Sequence, residues 1–479
     1  MLKLAEVFTD HMLIQRGKPV ELQGTADPGQ TVQVRLADQS RQTAASGDGT
    51  WHVVLDPFSA SRALVLEVSA GSETISLNDV AVGDLFLAAG QSNMEYVLQN
   101  EAHFKEAQQL VQDMDLRVLY VPQVEYPEQP VSRMLEWKVL DKSNLANDSA
   151  VAVYALAEIK KHTDVPLGIV ECYKGGTSAS CWIGETALQS DPLIRNIFYD
   201  KYWNDICDQS EEQEDIKREQ YVRIVAKYLD DVAAYQRMYP DRPMSWLKHD
   251  LGHTPWPGPK GKKDFGRPGG LHDMMFSRIS RLKYKAVWWY QGEEDAKNAS
   301  AYEPLLSLLI DSWRRELRDD LPFFLVQLPS YIEETYPETW PIIRQAQYEM
   351  SSKKTHTHIL CTIDLGDSYN IHPTDKLQFG RRLGMLCLET LYGMDLGWQY
   401  ARLKHFEKTG SGIVLVFEGI EEGGIVVHVD GKERNARIHD GRLHVPAPAR
   451  TIAYAWQNNV DHVTWNENGL PLFPFRITV

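Results

Sequence analysis

The chain contains 479 residues, of which 43% are hydrophobic and 24% charged, so its composition excludes a long disordered chain and a fibrous protein. Sixty-six acidic residues against 50 basic ones give a formal net charge of −16, which disfavours nucleic acid and anionic membranes as partners. The five cysteines have no CxxC spacing, so they predict neither a disulfide framework nor a zinc ribbon and fit a reducing compartment.

The first residues, Met-Leu-Lys-Leu-Ala-Glu-Val-Phe, have no long apolar core and no small-residue cleavage site. No apolar run in the chain approaches the ~18 residues that a bilayer-spanning helix needs. We therefore expect a cytoplasmic protein, with secretion left open for a chain whose leader has been removed.

Residues 1–80 carry short runs of alternating polar and apolar residues, such as Val32–Leu36 and Trp51–Leu55, with a turn signal at Asp27–Gln30. This pattern predicts an N-terminal antiparallel β-sandwich module. The same pattern returns over 401–479, for example at Ile413–Phe417, and predicts a C-terminal β module.

The middle of the chain, 81–400, alternates apolar runs with helical stretches. The runs are Leu85–Ala89, Leu167–Val170, Ala286–Tyr290, Phe323–Gln327 and Ile359–Ile363. Runs that are apolar throughout and separated by helices are typical of parallel strands buried on both faces, so we predict an α/β domain with a parallel sheet.

Residues 195–265 interrupt this alternation. The stretch is rich in charge at Ser210–Glu219 and rich in Gly, Pro and Lys near Trp256–Gly261. We interpret it as a helical insertion that ends in a loop, and both a lid over the site and a solvated surface excursion fit the pattern.

Chemically useful residues follow four of the five apolar runs. Ligands of an open α/β sheet bind beyond the carboxyl ends of its strands, so these residues are expected to meet there. The four positions supply a hydroxyl, glycine N–H groups, a side-chain amide and an imidazole, at Ser92, Gly175–Gly176, Gln291 and His372. Ser92 alone also fits a helix N-cap, but the four together are the parts needed for acyl transfer by an activated serine.

The blocks that carry these residues resemble the sialate O-acetylesterase group of the SGNH hydrolase superfamily. The resemblance includes blocks at both ends of the chain, Asp10–Arg16 and Pro474–Arg476, and extends over nearly its whole length. The matching central blocks are Gly90–Met94, Val165–Val170, Gly175–Ser178, Trp289–Glu293, Pro322–Pro329, Arg344–Gln347 and Ile371–Pro373 with Lys376.

This resemblance implies an SGNH (flavodoxin-like) three-layer core with a parallel sheet between two β modules, and hydrolysis of O-acetyl esters on carbohydrates. It implies Ser92 as nucleophile, His372 as base, and an oxyanion hole formed by the N–H groups of Ser92 and Gly176 with the Gln291 amide. No metal or cofactor is implied. We further expect substrate contacts from five side chains, those of Gln91, Asn93, Lys174, Glu293 and Arg344.

The residue that orients the base departs from the superfamily pattern. Many members carry Asp three residues before the base, where this chain has Tyr369, and several carry Asp at the position of Asn370. Asp367, Asp364 or a backbone carbonyl of residue 369 or 370 could take this role, since a triad is defined by roles and not by positions. We favour a Ser–His dyad, with Asp367 as the alternative orienter.

Two other classes of function compete with this interpretation. One is a non-catalytic carbohydrate-binding protein on the same scaffold, and the other is an esterase acting on other acyl esters. The partner expected from the favoured interpretation is an acetylated carbohydrate. A homo-oligomer stays open, because aromatic residues are common at interfaces.

Overall fold

The computed structural model describes residues 1–112, 114–129 and 134–479. Most strands of its N-terminal module form antiparallel sheets in which buried and exposed residues alternate, with Val32, Val34 and Leu36 as buried positions. One sheet has the order β1-β3-β6, while β4 pairs with β5 and β7 in the other. The strands are β1 Lys3–Leu4, β2 Leu13–Gln15, β3 Val20–Thr25, β4 Thr31–Leu36, β5 Gln39–Ala44, β6 Thr50–Leu55 and β7 Ser61–Ala70.

One strand joins the N-terminal module to the central domain. Strand β8, Glu73–Gly90, is 18 residues long, and every residue from 80 to 90 is buried. Its first part pairs antiparallel with β7, and its last part lies in the central sheet. The boundary predicted at residue 80 therefore falls inside a continuous strand.

The central sheet has the order β10-β9-β11-β8-β12-β13-β14, and all neighbours are parallel except β10 and β9. The five predicted runs correspond to β8, β11, β12, β13 and β14, so the predicted parallel α/β sheet is confirmed. The remaining bounds are β9 Leu116–Tyr120, β10 Trp137–Val139, β11 Leu167–Tyr173, β12 Ala286–Tyr290, β13 Phe323–Val326 and β14 Thr357–Leu360.

Helices cover this sheet, whose central strands β8, β11 and β12 are buried at every position within the sheet. Helix α3 packs on α12 so closely that a Cβ on Gly380 would lie 2.4 Å from the Cβ of Tyr154. The helices of the domain outside the insertion are α1 Ser92–Glu95, α2 Phe104–Leu110, α3 Ala150–Lys160, α4 Glu185–Ser190, α9 Gly270–Met274, α10 Tyr302–Leu317, α11 Trp340–Lys353 and α12 Leu377–Tyr392. Single turns of 3-10 helix occur at Leu98–Asn100, Ala179–Trp182 and Phe276–Arg278, with a longer kinked stretch at Glu293–Ala301.

The insertion is helical, as predicted, and its last part is a loop. It follows α5 Pro192–Ile194 and contains a π-helical stretch Arg195–Asp200, α6 Lys201–Asp205, α7 Glu211–Met238 and α8 Met244–Leu251. A capping box between Ser210 and Gln213 starts α7, which is mostly exposed. The following loop folds back on α7, because Tyr221 and Tyr228 donate hydrogen bonds to the carbonyls of Pro255 and Gly252.

The C-terminal module has an apolar core of its own between two antiparallel sheets, with the orders β15-β16-β19 and β18-β17-β20-β21. Its strands are β15 Arg402–Thr409, β16 Gly412–Glu418, β17 Gly423–Val429, β18 Lys432–Ile438, β19 Arg442–Pro446, β20 Thr451–Tyr454 and β21 Phe475–Thr478. Across the described ranges, none of the helices combines the length and the apolar character that crossing a bilayer requires.

Candidate active site

Ser92 and His372 lie together at the carboxyl edge of the central sheet. The Nε2 atom of His372 is 2.7 Å from Oγ of Ser92, although 280 residues separate them in sequence. Ser92 begins α1 directly after β8, where Gly90 has φ +135° and lies so close to β12 that a Cβ would be 2.1 Å from the Tyr290 carbonyl oxygen. Both members of the pair are partly exposed.

The imidazole of His372 is held in its neutral form. Burial lowers its pKa to about 3, and the nearby cations of Lys376 and Lys248 act in the same direction. The backbone N–H of His372 donates to Oδ1 of Asn370 at 3.1 Å, which fixes the loop that carries the ring. A neutral imidazole with Nε2 on the hydroxyl is prepared to accept its proton.

The two carboxylates proposed as orienters are engaged elsewhere. Oδ1 of Asp367 accepts the backbone N–H groups of Tyr369 and Asn370 at 2.9 and 3.0 Å. Asp364 forms a two-point ion pair with Arg382, with both N–O distances 2.6 Å. Within the described residues, no hydrogen bond connects either carboxylate to the imidazole.

Two backbone N–H groups next to the hydroxyl are available to an oxyanion. The Gly175–Gly176 turn packs on the nucleophile, because a Cβ on Gly175 would lie 3.2 Å from the Cβ of Ser92. The N–H of Gly175 donates to the Glu95 carboxylate. The N–H groups of Ser92 and Gly176 have no acceptor among the described residues, which fits the predicted oxyanion hole.

The Gln291 amide, predicted as the third oxyanion donor, is wholly buried and used inside the protein. Its Nε2 donates to the Thr177 carbonyl at 3.0 Å and to Oδ2 of Asp295 at 2.7 Å, so it holds two strand-end loops together. Gln91 is different: its Oε1 accepts the N–H groups of Gly292 and Glu294, each at 3.3 Å. In the described part of the chain its Nε2 has no acceptor, so the Gln91 amide, predicted to contact substrate, is the one of the two that is open to a ligand.

A buried polar network connects α1, which begins with Ser92, to the loop that carries His372. Asn93 donates to Oε1 of Glu293 at 2.6 Å and to the Ile371 carbonyl at 3.0 Å, and it accepts from Nζ of Lys376 at 2.6 Å. Burial lowers the pKa of Lys376 to about 7 and raises that of Glu293. Asn93 and Glu293 were predicted to contact substrate, and their burial makes them supports of the site instead.

Lys376 belongs to the last of the blocks that resemble the acetylesterase family, but its sequence position alone does not predict a role in the site. Its Nζ lies 4.9 to 5.8 Å from the ring centres of Phe379, Tyr96 and Tyr290, a cluster that only folding brings together. The sequence signal that could have indicated this role is the position of Lys376, four residues after His372 and directly before α12.

Two further residues predicted to contact substrate lie in different places, Lys174 at the rim of the site and Arg344 in the protein interior. Nζ of Lys174 donates to Gln123 at 2.9 Å and lies 4.7 Å from the ring centre of Phe265, at the rim of the site. Arg344 is 1% exposed, and it donates to the carbonyls of three residues in the C-terminal part, Ala455, Gln457 and Asn458. Its predicted substrate contact is thus corrected to a structural role.

One group of side chains near the site has the composition of a metal site. Ligand atoms of Glu101, His103 and Asp375 lie within 4.8 Å of one another. Glu101 already accepts hydrogen bonds from the Tyr154 hydroxyl at 2.7 Å and from the Lys376 backbone N–H at 3.1 Å. These bonds give the carboxylate a structural function without an ion.

Comparisons with known proteins confirm the resemblance seen in the sequence. Residues 260–389, which include Gln291, Arg344 and His372, match the family model of the sialic acid-specific acetylesterases, a group of carbohydrate esterases. The chain is 24% identical over 432 residues to a sialate O-acetylesterase of Rattus norvegicus, covering 82% of this chain and 74% of the relative. Its identity to the Homo sapiens sialate O-acetylesterase is 23% over 433 residues, covering 82% and 71%.

A solved carbohydrate acetylesterase from Xanthomonas citri has a similar structure. The TM-score is 0.77 with 23% sequence identity, and the match covers 100% of both chains. The α/β core and both flanking β modules are therefore a shared fold.

Proposed function

From the match of residues 260–389 to the sialic acid-specific acetylesterase model, we propose that this chain is a serine esterase that removes O-acetyl groups from carbohydrates. The observation that carries the proposal is the 2.7 Å contact between Oγ of Ser92 and Nε2 of His372 beside free backbone N–H groups. This is the arrangement that hydrolysis through an acyl-enzyme requires.

In the first half of the reaction, His372 accepts the proton of Ser92 as Oγ attacks the acetyl carbonyl. The negative charge that develops on the carbonyl oxygen is bound by the N–H groups of Ser92 and Gly176 and by the Gln91 amide. A donor of this kind contributes ~3 kcal/mol to the transition state, about 10² to 10³ in rate. The imidazolium then protonates the leaving sugar hydroxyl, and the acetyl group remains on Oγ.

In the second half, water attacks the acetyl-enzyme and transfers its proton to His372. The same donors bind the oxyanion, and collapse of the intermediate releases acetate and returns the proton to Ser92. Asn93 and Lys376 hold the nucleophile helix and the loop of the base in register through both halves. The dyad operates without a carboxylate on the second ring nitrogen.

The direct test is Ser92→Ala, assayed by acetate release from 9-O-acetyl sialic acid and from acetylated xylo- and manno-oligosaccharides. We expect loss of nearly all activity, by at least about 10⁴-fold, with an unchanged melting temperature. Ser352→Ala, which changes an exposed serine on α11, is the matched control and should keep full activity. Wild-type turnover by the Ser92 variant would contradict the proposal.

A further inference from the structure

The loop of the insertion places a tryptophan against the glycine turn of the site. A Cβ on Gly176 would lie 2.4 Å from Cζ2 of Trp256, so the indole rests on the glycine backbone. The neighbouring Gly175 in turn packs on Ser92. The indole is therefore separated from the nucleophile by a single turn of backbone.

Three contacts fix the orientation of this ring. Its Nε1 donates to Oε2 of Glu294 at 2.7 Å, and Phe265 stacks on it with ring centres 5.7 Å apart and planes at 28°. The third contact is the one with Gly176. Trp256 is nevertheless 45% exposed. A rigid aromatic surface left in contact with water is typical of binding sites, because the exposed apolar area gains free energy only when a ligand covers it.

A second exposed ring stands on the loop of the base. Tyr369, three residues before His372, is 50% exposed, and its ring meets His249 of α8 edge to face at 5.3 Å. The insertion thus supports one exposed aromatic ring next to the oxyanion turn and another next to the base. These two contacts place parts of the insertion at the border of the site.

We propose that Trp256 is a sugar-binding residue whose exposed face stacks on a pyranose ring of the acetylated substrate. Pyranose rings present a flat face of C–H groups, which suits an aromatic surface, while their hydroxyls bond to polar groups around it. The inference rests on the proposed esterase function and deepens it: the 195–265 insertion selects a carbohydrate ester over a simple alkyl ester.

The test compares Trp256→Ala with wild type on two kinds of substrate, the acetylated carbohydrates of the panel above and ethyl acetate, which has no ring. We expect kcat/KM for the carbohydrate that wild type cleaves fastest to fall about tenfold or more, mainly through KM. Ethyl acetate should change less than about twofold. Trp256→Phe keeps a stacking face and should retain most of the carbohydrate activity.

Trp246→Ala is the matched control, because Trp246 is 55% exposed on α8 of the same insertion and packs on Arg242. It should behave as wild type on both substrates. An equal loss on both substrates by Trp256→Ala, or no loss on either, would overturn the inference. Failure of the proposed function is a separate result: it shows as acetate release that Ser92→Ala leaves intact, or as a wild type that cleaves ethyl acetate but no carbohydrate.

Discussion

At the scale of the residue, the unusual feature is His372, the proposed base, whose imidazole has two cations near it and, among the described residues, no hydrogen bond to a carboxylate. A carboxylate on the second ring nitrogen stabilises the imidazolium and raises the pKa of a histidine, whereas Lys376 and Lys248 oppose the imidazolium here. Lys376 itself has a pKa of about 7, so its charge grows as the pH falls below neutrality. The environment therefore keeps His372 neutral under mildly acidic conditions.

This arrangement predicts activity at low pH. With an ordinary pKa of 6.5, only about 3% of a histidine is neutral at pH 5, but a pKa of about 3 leaves His372 almost wholly neutral there. We expect kcat/KM for ethyl acetate to stay near its plateau from pH 7 to pH 5. Lys376→Met removes a cation that lowers the pKa of His372, so its acid limb should move to higher pH.

Initial rates must be measured before the protein unfolds, because the lowered pKa of His372 also reduces the stability of the fold at low pH. The unfolded chain protonates His372 near pH 6.5 and the folded chain only near pH 3, so this group destabilises the fold as the pH falls between those values. Lys353→Met, at an exposed lysine on α11, is the control and should keep the wild-type profile. An acid limb near pH 6.5 in the wild type would contradict the prediction.

Substitution of the two glutamines at strand ends should have different effects, one on the rate of the reaction and the other on the stability of the fold. Gln91→Ala removes the amide nitrogen next to Ser92 that has no acceptor among the described residues, so we expect kcat to fall about 10² to 10³ with little change in KM. Gln291→Ala leaves Asp295 and the Thr177 carbonyl without their donor, at a cost of about 1–3 kcal/mol in stability. Thermal melts beside steady-state kinetics distinguish the two. A Gln91 variant with wild-type kcat would remove this residue from the oxyanion hole.

Residue roles could be predicted from sequence only where chemistry and position agree. Ser92, Gly176 and His372 follow apolar strands, and strand ends of a parallel sheet meet at one edge, so their meeting was predictable. The sequence could not distinguish Gln91 from Gln291, because both follow such strands and only the packing decides which amide nitrogen already has an acceptor inside the protein. Likewise, the sequence does not show that Arg344 is buried and that its guanidinium bonds to backbone carbonyls.

At the scale of the element, the sheet was predictable because its strands contain continuous runs without charged residues, such as Leu167–Val170 and Ala286–Tyr290, and so differ from the alternating strands of the modules. The edge was not: β10, Trp137–Val139, is three residues long and carries no pattern of its own. The insertion was recognised as helical from its charged residues. Its placement beside the site depends on tyrosines of α7 that hold the returning loop, and these contacts have no signature in the sequence.

At the scale of the whole molecule, Arg344 connects α11 of the central domain to the C-terminal part. Its guanidinium donates to three carbonyls over residues 455–458 and has no ion pair among the described residues. Arg344→Met removes these bonds, so we expect the free energy of unfolding to fall by ~2 kcal/mol, measured by scanning calorimetry. Arg315→Met, at an exposed position on α10, is the control. An unchanged melting profile for the Arg344 variant would contradict this role.

Strand β8 also limits how the molecule can be divided. Its residues 73–82 complete the outer β-sheet, and the same strand ends two residues before the nucleophile. Removing the N-terminal module would leave about half of β8 without its neighbouring strands. Grafting a foreign module at this point would require a chain junction inside a strand that is hydrogen-bonded along its whole length. The N-terminal module therefore cannot be exchanged by itself, and engineered chimeras should exchange it together with β8 and Ser92.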